Sequence, residues 1–458
     1  MNETIERLIY AFNPHWSGIA QSQDLYINRE LLKDVIDYLD EKQILCLLGP
    51  RRTGKTTILK QVIIKLLKDF IEPKNIFYFS FDELMSADHE LLEEILQYYF
   101  DTIVTNKKER CYILLDEIQY VDYWQTILKR YYDLFQTGTK FLVTGSASVW
   151  IKRKSTESLA GRINDFTLWP LSFNEFLKFS GVKLPELKVT KTYFDLEKNI
   201  KKLLPIENKI IANFKKYLLF GGFPEIVTED WDLEKSQNYI RTYVLEKSVL
   251  RDIAQYFPVD NPRILVEILQ IIAWQSSALF EINNLAQTLN LNRVTVSKYL
   301  SYLELGYLIS LSYNFTKSRV KQVRSLKKVY LIDTGLITTL TYSGEDIFAH
   351  PEEIGRIVET SVRNHFSKMY NCYFWRDGHK NEVDIILRRG KSLIPIEVKY
   401  SDNVSNKDMK TLRSFMDRFN LKNGIITTRS TFKKFNNIWA VPTWLLLVLD
   451  KKISAMLS

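Results

Sequence analysis

The sequence lacks several features that would assign it to a particular class of protein. Its three cysteines lie far apart, without a Cys-x-x-Cys pair or paired histidines, which argues against a disulfide framework and a structural zinc site. The first residues have neither the basic start nor the apolar stretch of a signal peptide. The longest apolar run near the end, Trp444 to Leu449, is too short to cross a bilayer. These absences predict a cytoplasmic location.

Internal repeats and low-complexity tracts are also lacking, and the remaining composition is that of a globular protein. Hydrophobic residues make up 46% of the 458 residues and charged residues 26%, so extensive disorder is not expected. A chain of this length is expected to form about three domains. The net charge of +9 is compatible with a nucleic acid partner, with an acidic protein partner, or with a role in solubility alone.

The first third of the chain alternates short apolar runs with helical patterns. Buried strands are predicted at Ile44 to Leu48, Ile76 to Phe81, Tyr112 to Leu115 and Phe141 to Val143. Their alternation with helices predicts an α/β fold with a parallel sheet covered on both faces. From about Leu171 the pattern is mostly helical, and an irregular, charged connection is expected over Leu184 to Asn208.

A glycine-rich turn follows the first predicted strand. It fits the phosphate-binding pattern G-x-x-x-x-G-K-[ST] at every position, with Gly49, Pro50, Arg51, Arg52, Thr53, Gly54, Lys55 and Thr56. The glycines let the backbone wrap closely, so that N–H groups and the N-terminus of the next helix point at phosphate oxygens. We expect Lys55 to reach the β- and γ-phosphates of ATP and Thr56 to place its hydroxyl on Mg²⁺. Thr57 completes the predicted nucleotide-binding set.

Two carboxylates follow the apolar run Tyr112 to Leu115. Such a strand delivers acids to the carboxyl edge of the sheet, where ligands bind in open α/β folds. We expect Asp116 to support the magnesium ion and Glu117 to polarise the attacking water as general base. The alternative is an ordinary strand end with a helix N-cap. Thr144 and Ser146 end the next strand and are expected either to position the water near the γ-phosphate or to serve only the turn.

Three further segments carry a family resemblance. They are Ser158 to Arg162, Leu168 to Phe176, and Gly221 to Glu225. With them and the phosphate-binding turn, the chain resembles prokaryotic AAA-type and STAND-like P-loop ATPases over nearly its whole length. The resemblance is closest to the group in which the ATPase module is fused to a C-terminal nuclease-like domain.

The resemblance implies two further roles near the nucleotide. Arg162 is expected to sense the nucleotide or to act as an arginine finger, in the same chain or in a neighbouring one. The alternative is a salt-bridged surface arginine. Gly222-Phe223-Pro224 is similar to the GxP element of STAND ATPases, which implies that Pro224 packs near the adenine. From backbone chemistry alone, the same residues form a helix-terminating turn.

Residues 282 to 300 have the pattern of two helices joined by a tight turn, followed by a winged-helix hairpin. The residues expected in its core are Leu285, Ala286, Leu289, Val294 and Val296. Those expected to face DNA are Asn292, Arg293, Thr295, Ser297 and Lys298. The tip of the wing carries Lys317, Arg319, Lys321, Arg324, Lys327 and Lys328. Such a wing is expected to neutralise phosphates, unless the module is a lid, a protein contact or a solvated face.

Four polar residues stand out in the last part of the chain. Glu359 lies in an amphipathic helix, and Asp384 lies in a predicted strand. In the next strand, Glu397 and Lys399 are two residues apart and therefore project from the same face. The sequence Arg-Arg-Gly-Lys between the strands predicts a hairpin that brings Asp384 beside them.

An acid followed by acid-x-lysine on neighbouring strands, with a glutamate from a preceding helix, resembles the PD-(D/E)XK nuclease core. The resemblance implies that Asp384 and Glu397 are ligands of Mg²⁺ or Mn²⁺, that Glu359 is an accessory ligand, and that Lys399 is the catalytic lysine. The proline usual before the first aspartate is absent, since Val383 stands there. The alternative is a plain cross-strand ion pair.

The predicted architecture has four parts. They are a P-loop ATPase domain at 1–180, a helical lid or linker at 181–260, a winged helix at 261–343 and a restriction-endonuclease-like α/β domain at 344–458. The expected function is ATP binding and hydrolysis with Mg²⁺, coupled to metal-dependent action on DNA, without a membrane partner and with a nucleotide-dependent homo-oligomer. The main competing hypothesis is a STAND-type signalling switch whose C-terminal domain only binds a partner or nucleic acid. A chaperone-like ATPase is a third.

Overall fold

A computed structural model describes residues 3–18, 26–82, 84, 89–105, 109–135, 138–146, 159, 161–189, 193–316 and 326–450, the side chains of 193 and 194 excepted. The chain divides into two compact units. The first contains residues 1–169 and 305–307, and the second contains residues 170–304 and 308–458. Across the described ranges, no helix is both long enough and apolar enough to span a membrane.

The first unit is built on a five-stranded sheet. Its strands are β1 (Ile44–Leu48), β2 (Ile76–Ser80), β3 (Cys111–Asp116), β4 (Thr139–Gly145) and β5 (Ile163–Thr167). Its helices are α1 (Glu3–Phe12), α2 (Leu31–Asp37), α3 (Lys55–Lys68), α4 (His89–Tyr98) and α5 (Trp124–Phe135). Short 3-10 turns at Pro14–Ser17, Pro73–Asn75 and Ile118–Tyr120 and a π-turn at Tyr99–Ile103 complete it.

Every strand pairing in this sheet is parallel, in the order β2-β3-β4-β1-β5. Alternate residues of β1 enter two separate apolar cores: Cys46 packs into one, and Leu45 and Leu47 pack into the other. A strand alternates its side chains between the two faces of a sheet, so both faces of this one are buried. The predicted parallel α/β sheet is confirmed.

The strand order determines where ligands can bind in this unit. The neighbours β3, β4 and β1 run in the same direction, so their carboxyl ends meet at one edge. The residues that follow these strands are Gly49 after β1, Glu117 after β3 and Ser146 after β4. The three segments predicted to hold the nucleotide therefore share one edge of the sheet.

The second unit begins with helices. They are α6 (Phe173–Phe179), α7 (Tyr193–Leu203), α8 (Glu207–Phe220), α9 (Pro224–Thr228), α10 (Leu233–Tyr239) and α11 (Ala254–Tyr256), with a 3-10 turn at Leu204–Ile206 and π-helical geometry over Ile240–Ile253. The expected irregular connection over Leu184 to Asn208 is wrong for the part that forms α7. Leu196 and Leu203, seven residues apart and fully buried, give this lysine-rich helix a narrow apolar stripe that its charge obscures in the sequence.

The rest of the second unit carries a nine-stranded sheet. Its strands are β6 (Leu279–Phe280), β7 (Ile309–Asn314), β8 (Lys327–Leu331), β9 (Asn371–Arg376), β10 (Glu382–Arg389), β11 (Ser392–Glu397), β12 (Gly424–Thr428), β13 (Lys433–Phe435) and β14 (Ile438–Pro442). Its helices are α12 (Arg263–Trp274), α13 (Ile282–Thr288), α14 (Arg293–Leu305), α15 (Thr334–Thr341), α16 (Pro351–Ser367), α17 (Asn406–Phe419) and α18 (Thr443–Leu449), with a 3-10 turn at Glu345–Ala349.

The strand order of this sheet is β13-β14-β12-β11-β10-β9-β7-β8-β6. The hairpin of β7 and β8 joins the later strands through a parallel pairing in which Tyr313 lies opposite Tyr373. One sheet therefore runs from the segment predicted as a wing into the segment predicted as nuclease-like, across position 343. Strand β8 is separated from β10 by β7 and β9, so a long side chain of β8 can reach across the sheet to an acid of β10, as Lys328 reaches Glu382.

The helix pair α13 and α14 departs from the predicted core at Val294 and, to a smaller degree, at Leu289, which is half-buried. Leu285, Ala286 and Val296 are buried as expected, whereas Val294 is 64% exposed. Val294 is the second residue of α14, and the following residue whose side chain turns inward is Val296. Lys317, Arg319, Lys321 and Arg324, at the predicted wing tip, lie outside the described residues.

Candidate functional site

The phosphate-binding turn links β1 to α3, and its backbone geometry explains its glycines. Gly49 has φ of +145°, and a Cβ atom there would lie 2.2 Å from the carbonyl oxygen of Leu168. Gly54 has φ of +94° and precedes the first residue of α3. The N-cap residue of that helix is glycine, so no cap side chain competes with an anion for the first N–H groups of the helix.

Lys55 is buried beneath this turn. Its Nζ atom donates hydrogen bonds to the carbonyl oxygens of Gly49, at 3.1 Å, and Pro50, at 3.0 Å, and lies 3.9 Å from a carboxylate oxygen of Glu117. The ammonium is thus held inside the curve of the turn. Thr57, the third residue of α3, is half-buried and follows Thr56 in the helix.

The remaining residues of the turn are held by side chains both inside and outside the motif. Thr53 donates its hydroxyl to the carbonyl of Pro50 at 2.9 Å, and Arg51 donates to the hydroxyl of Tyr120 at 2.6 Å, while Arg52 is exposed with φ of +64°. Arg29 donates to the carbonyl oxygens of Thr53, at 2.6 Å, and Trp169, at 2.7 Å. Arg29 was not predicted, because it lies before the motif in a segment with no recognisable pattern.

Asp116 and Thr56 meet at the edge of the sheet. The hydroxyl of Thr56 donates to Oδ2 of Asp116 at 2.6 Å, Tyr78 donates to the same oxygen at 3.1 Å, and Thr144 donates to Oδ1. A hydroxyl and a carboxylate are the oxygen donors that Mg²⁺ uses when phosphates and waters complete its shell. The pair therefore fits the predicted magnesium role.

Glu117 lies beside this pair in a left-handed backbone conformation, with φ of +52°. Its N–H donates to the hydroxyl of Thr144 at 2.9 Å. Gln119 donates to a carboxylate oxygen of Glu117 and, at 3.1 Å, to the hydroxyl of Ser146. Thr144 and Ser146 are thus both brought to the acid pair. Gln119 was missed, although its place two residues after the acids marks it as a neighbour.

The two acids have opposite pKa shifts. Burial raises the pKa of Asp116, and the neighbouring charge of Glu117 raises it further, against the hydrogen bonds from Thr144 and Thr56. Burial acts in the same direction on Glu117, but the charges of Lys55 and Arg51 outweigh it and lower its pKa. Glu117 is therefore the acid held as an anion, the state that a general base requires.

Arg162 lies at the amino-terminal ends of the strands, opposite the carboxyl ends where the nucleotide residues lie. It precedes β5, whose first residue pairs with Ile44 at the start of β1, and its carbonyl accepts from the Ile44 N–H at 2.8 Å. The turn at Gly49 is thus about 15 Å away, the length of a five-residue strand. The guanidinium pairs with Asp133 at 3.1 Å. A role toward the nucleotide of the same chain does not agree with this placement.

The Gly-Gly-Phe-Pro turn lies in the second unit, where Pro224 begins α9. The N–H of Gly222 donates to Oδ2 of Asp333 at 2.9 Å, and the N–H of Gly335 donates to Oδ1 at 2.8 Å. Gly221 has φ of +75°, and a Cβ atom there would lie 1.8 Å from the Asp333 carboxylate. The turn is therefore docked on the N-cap of α15. The adenine contact of Pro224 stays a prediction.

The C-terminal residues come together on the β10–β11 hairpin as predicted. Ile385 lies opposite Ile396, and a carboxylate oxygen of Asp384 accepts from the N–H of Val398 at 2.9 Å. Lys399 lies 3.2 Å from Glu397 and 3.4 Å from Asp408 on α17. The hairpin register thus brings the carboxylates of Asp384 and Glu397 next to one another.

Burial and the neighbouring charges shift the pKa values of Glu397 and Lys399. Burial raises the pKa of Glu397, and the charge of Asp384 raises it further, against Lys399. Its Oε2 atom is buried and has no hydrogen-bond partner within the described ranges. The carboxylates of Glu397, Asp384 and Asp408 raise the pKa of Lys399 in spite of burial, so its ammonium stays charged. Two crowded carboxylates with one open oxygen are a donor set that suits a hard cation.

Glu359, on α16, accepts hydrogen bonds from two side chains of β8. Its Oε1 atom accepts from Lys328 at 3.0 Å and from the hydroxyl of Tyr330 at 2.7 Å. Burial raises its pKa to about 7. Lys328 also lies 2.7 Å from Glu382 and 3.5 Å from Asp384. Among the residues described, no group of three or more His, Cys, Asp or Glu side chains has the arrangement of a metal site.

The placement of Lys328 corrects the sequence analysis, which assigned it to an exposed DNA-binding wing. Its side chain is 3% exposed and points into the acidic group, because β8 is a strand of the same sheet as β10. Burial opposes its charge, but Glu359 and the other acids raise its pKa well above the ordinary value. Glu382 was also missed, although it is two residues before Asp384 in one strand.

Three segments of the chain match known families. Residues 41–177 match the family described as AAA domain. Residues 211–346 and 354–446 match two domains of unknown function, DUF8612 and DUF4143.

Several relatives are similar over most of their length. An uncharacterized protein of Haemophilus influenzae is 28% identical over 318 residues, which is 68% of this chain and 72% of the relative. Two uncharacterized proteins of Methanocaldococcus jannaschii are 29% identical over 389 residues and 30% identical over 319 residues. These matches cover 82% and 68% of this chain, and 79% and 66% of the relatives.

Similar solved structures include AMPPCP-bound DnaA from Aquifex aeolicus and PCH-2 from C. elegans. The first is 16% identical with a TM-score of 0.25, over 64% of this chain and 92% of that chain. The second is 15% identical with a TM-score of 0.26, over 62% and 72%. TM-scores this low do not by themselves establish a shared fold.

The family match coincides with the first unit's nucleotide edge. It contains the phosphate-binding turn with Lys55 and Thr56, the acids Asp116 and Glu117, and the polar strand end at Thr144. The family match and the geometry of this edge together support a P-loop ATPase domain over residues 41–177 that binds and hydrolyses ATP.

Proposed function

We propose that the chain is an ATP-controlled, metal-dependent phosphodiesterase that acts on DNA. The observation that carries the proposal is the β10–β11 hairpin. There Asp384 accepts a hydrogen bond from Val398, and Glu397 and Lys399 form an ion pair beside it. Two acids on neighbouring strands, with a lysine two residues after the second strand, form the charge pattern required at a scissile phosphate.

The side chains support distinct roles in such a site. Asp384 and Glu397 would hold Mg²⁺ or Mn²⁺, since carboxylate oxygens are the ligands of hard cations and Oε2 of Glu397 has no hydrogen bond. The metal would supply a water of lowered pKa and compensate charge on the phosphate. Lys399, whose pKa is raised by Glu397 and Asp384, would stabilise charge as an ammonium and not act as a base.

The middle of the second unit supports contact with DNA. Its element order, a helix, a short strand, two helices and a hairpin, supports the predicted winged helix. On α14, Arg293 and Lys298 are exposed, as direct contact with phosphate or bases requires. Asn292 is used differently, because its side chain accepts from the N–H of Thr295 at 2.8 Å and caps the helix.

The test is degradation of linear and circular DNA with Mg²⁺ or Mn²⁺, with and without ATP. Wild type is compared with Lys55→Ala, Asp384→Ala and the control Asp417→Ala, which removes an exposed acid of α17. We expect Asp384→Ala to abolish cleavage while ATP hydrolysis continues, and Lys55→Ala to remove the effect of ATP. Cleavage that persists in Asp384→Ala would place the nuclease elsewhere and overturn the proposal.

A second candidate function is a STAND-type signalling switch whose C-terminal domain only binds a partner. The observation that favours it is the ammonium of Lys328 inside the acidic group, where it satisfies carboxylates that a metal would otherwise use. This hypothesis predicts no cleavage under any condition, and an assembly state that changes with ATP in wild type but not in Lys55→Ala. Light scattering with and without ATP measures that change.

A further inference from the structure

Three carboxylates surround one buried ammonium in the second unit. Nζ of Lys328 lies 2.7 Å from Glu382, 3.0 Å from Glu359 and 3.5 Å from Asp384. The lysine side chain is 3% exposed, and the three acids are between 11% and 24% exposed. We call these three acids and Lys328 the lysine-filled cluster.

The ammonium comes from a different element than the acids. Glu382 and Asp384 lie on β10 and Glu359 on α16, whereas Lys328 lies on β8, which β7 and β9 separate from β10 in the sheet. Tyr330, two residues along β8 and therefore on the same face, donates to Glu359 at 2.7 Å. Strand β8 thus contributes two side chains that satisfy the acids of other elements.

These contacts compete with metal binding. One oxygen of Asp384 faces Lys328 and the other accepts from Val398, while Oε1 of Glu359 accepts from both Lys328 and Tyr330. A magnesium ion needs oxygen lone pairs at about 2.1 Å, and an ammonium between the same oxygens both occupies that space and repels a divalent cation. Asp384 and Glu359 therefore cannot share a cation while Lys328 is in place.

The neighbouring acid has the opposite property. Oε2 of Glu397 is buried and lacks a hydrogen-bond partner among the described residues, and Glu397 is close enough to Asp384 for the two charges to interact. An unsatisfied carboxylate oxygen in a buried position is a strong ligand once a cation is available. Glu397 thus offers a free ligand oxygen beside Asp384, whereas Lys328 engages oxygens of Asp384 and Glu359 that a shared cation would need.

We propose that Lys328 is an internal counterion that keeps a divalent cation out of the lysine-filled cluster, and that displacement of β8 opens the cluster to Mg²⁺ or Mn²⁺. The proposal rests on the proposed phosphodiesterase site and adds its regulation. Strand β8 ends at Leu331, and Asp333 two residues later holds the N–H of Gly222. The turn that precedes Pro224 is therefore bound to the same stretch of chain that carries Lys328.

The test is Mn²⁺ binding measured by electron paramagnetic resonance on the full chain without nucleotide. All variants carry Thr56→Ala, which removes the hydroxyl expected to bind metal at the ATPase site. Lys328→Met is compared with Lys327→Met, which removes the same charge from the preceding residue of β8. We expect Lys328→Met to gain one Mn²⁺ site that binds at least about 10-fold more tightly than any site of the parent, and Lys327→Met to gain none.

Two further variants keep the result interpretable. Lys328→Gln removes the charge but keeps a hydrogen-bond donor for Glu359. It replaces Lys328→Met if circular dichroism or thermal unfolding shows that Lys328→Met is not folded. Adding Glu382→Gln and Asp384→Asn to Lys328→Met is expected to abolish the gained site. A folded Lys328 variant that gains no Mn²⁺ site would overturn the proposal, and so would a parent that already binds Mn²⁺ as tightly.

DNA cleavage by the same proteins, with Thr56 restored, separates this inference from the proposed function. Faster cleavage by Lys328→Met than by wild type at equal Mn²⁺ supports both. A gained Mn²⁺ site without cleavage supports the counterion and contradicts the phosphodiesterase. Equal cleavage by wild type and Lys328→Met supports the phosphodiesterase and contradicts the counterion.

Discussion

At the residue scale, the acids at the nucleotide edge are distinguished by their partners. Asp116 accepts hydroxyl hydrogen bonds from Thr56, Tyr78 and Thr144, as a carboxylate that orders metal ligands does. Glu117 lies 3.9 Å from Lys55 and accepts from Gln119. The environment of Glu117 keeps it charged, which is why we assign it the proton-accepting role.

Replacement of Glu117 by glutamine tests this assignment. Glu117→Gln keeps the shape of the site and removes the base, so we expect ATP binding to persist and hydrolysis to fall by about 10²- to 10⁴-fold. Calorimetry measures the binding and phosphate release measures the hydrolysis. Asp122→Asn, which changes an exposed acid a few residues later, is the control. Undiminished hydrolysis by Glu117→Gln would assign the base to another group.

Asp333 gives a pH dependence whose sign follows from its burial. Burial raises its pKa from 3.8 to about 6 in spite of hydrogen bonds from Gly222 and Gly335. Between these values the folded state holds a proton that the unfolded state has released, so this residue makes stability fall as pH rises from about 4 to about 6. Urea unfolding at both ends of this range should show a larger loss for wild type than for Asp333→Asn. An equal loss in the two proteins would contradict the assignment.

At the element scale, the phosphate-binding turn packs closely against the residues that follow β5. We expect this contact to be needed for the stability of the turn and for ATP binding. In Gly49→Ala the new Cβ atom would meet the Leu168 carbonyl at 2.2 Å, with φ at +145°. We expect the free energy of unfolding to fall by about 3 kcal/mol, from strained φ and overpacking together, and ATP binding to be lost. Thermal unfolding and nucleotide titration measure the two effects.

Gly161→Ala is the matched control for this substitution. Gly161 also has a positive φ, of +74°, but a Cβ atom there would have no atom of the described residues within 4 Å. Only the backbone strain applies, so the expected loss is about 1 kcal/mol, with ATP binding retained. Equal losses for the two variants would show that the contact with Leu168 is not what requires glycine.

The β10–β11 hairpin and strand β8 show how far an element can be predicted. The hairpin follows from a turn sequence between two alternating runs, and its register brings Asp384 to Glu397 without further information. Lys328 reaches the same group only because β7 pairs with β9, 60 residues later in the chain. No local pattern encodes a pairing of that sequence separation, which is why a buried counterion was interpreted as part of an exposed wing.

At the scale of the whole molecule, Arg162 raises the question of assembly. It lies at the edge of the sheet opposite its own phosphate-binding turn and pairs with Asp133. A finger role therefore requires a neighbouring subunit, whose nucleotide edge would face this arginine. Mixing experiments distinguish such a role from a plain surface ion pair.

The mixture combines Arg162→Ala with Glu117→Gln. The first keeps an intact base and lacks the arginine, and the second lacks the base and keeps the arginine. If Arg162 acts in a neighbour, the mixture should hydrolyse ATP faster than either variant alone, as phosphate release would show. Arg130→Ala, which breaks another surface ion pair of the first unit, serves as the control. Full activity of Arg162→Ala alone would leave the surface ion pair as its role.

The sequence by itself determined the ATPase domain, because its chemistry is local. A buried strand, a glycine turn and a helix place Gly49 to Thr56 within one short stretch, and the run before Asp116 predicts a parallel strand that ends at the same edge. The pattern of two C-terminal acids and a lysine was likewise visible within one hairpin. Each prediction needed only the periodicity of strands and helices.

The tertiary structure alone decided which charges oppose one another. Arg29, Tyr78 and Lys328 were not assigned to the sites they serve. For Arg162, the sequence left open a role at a nucleotide of its own or a neighbouring chain and a surface ion pair, and only the structure places it opposite its own phosphate-binding turn and beside Asp133. A buried charge takes whichever partner the sheet order brings within hydrogen-bonding distance, and that order depends on contacts between residues far apart in the chain. The sequence therefore predicted most residues of the two sites. It did not predict which other side chains of the chain pair with them.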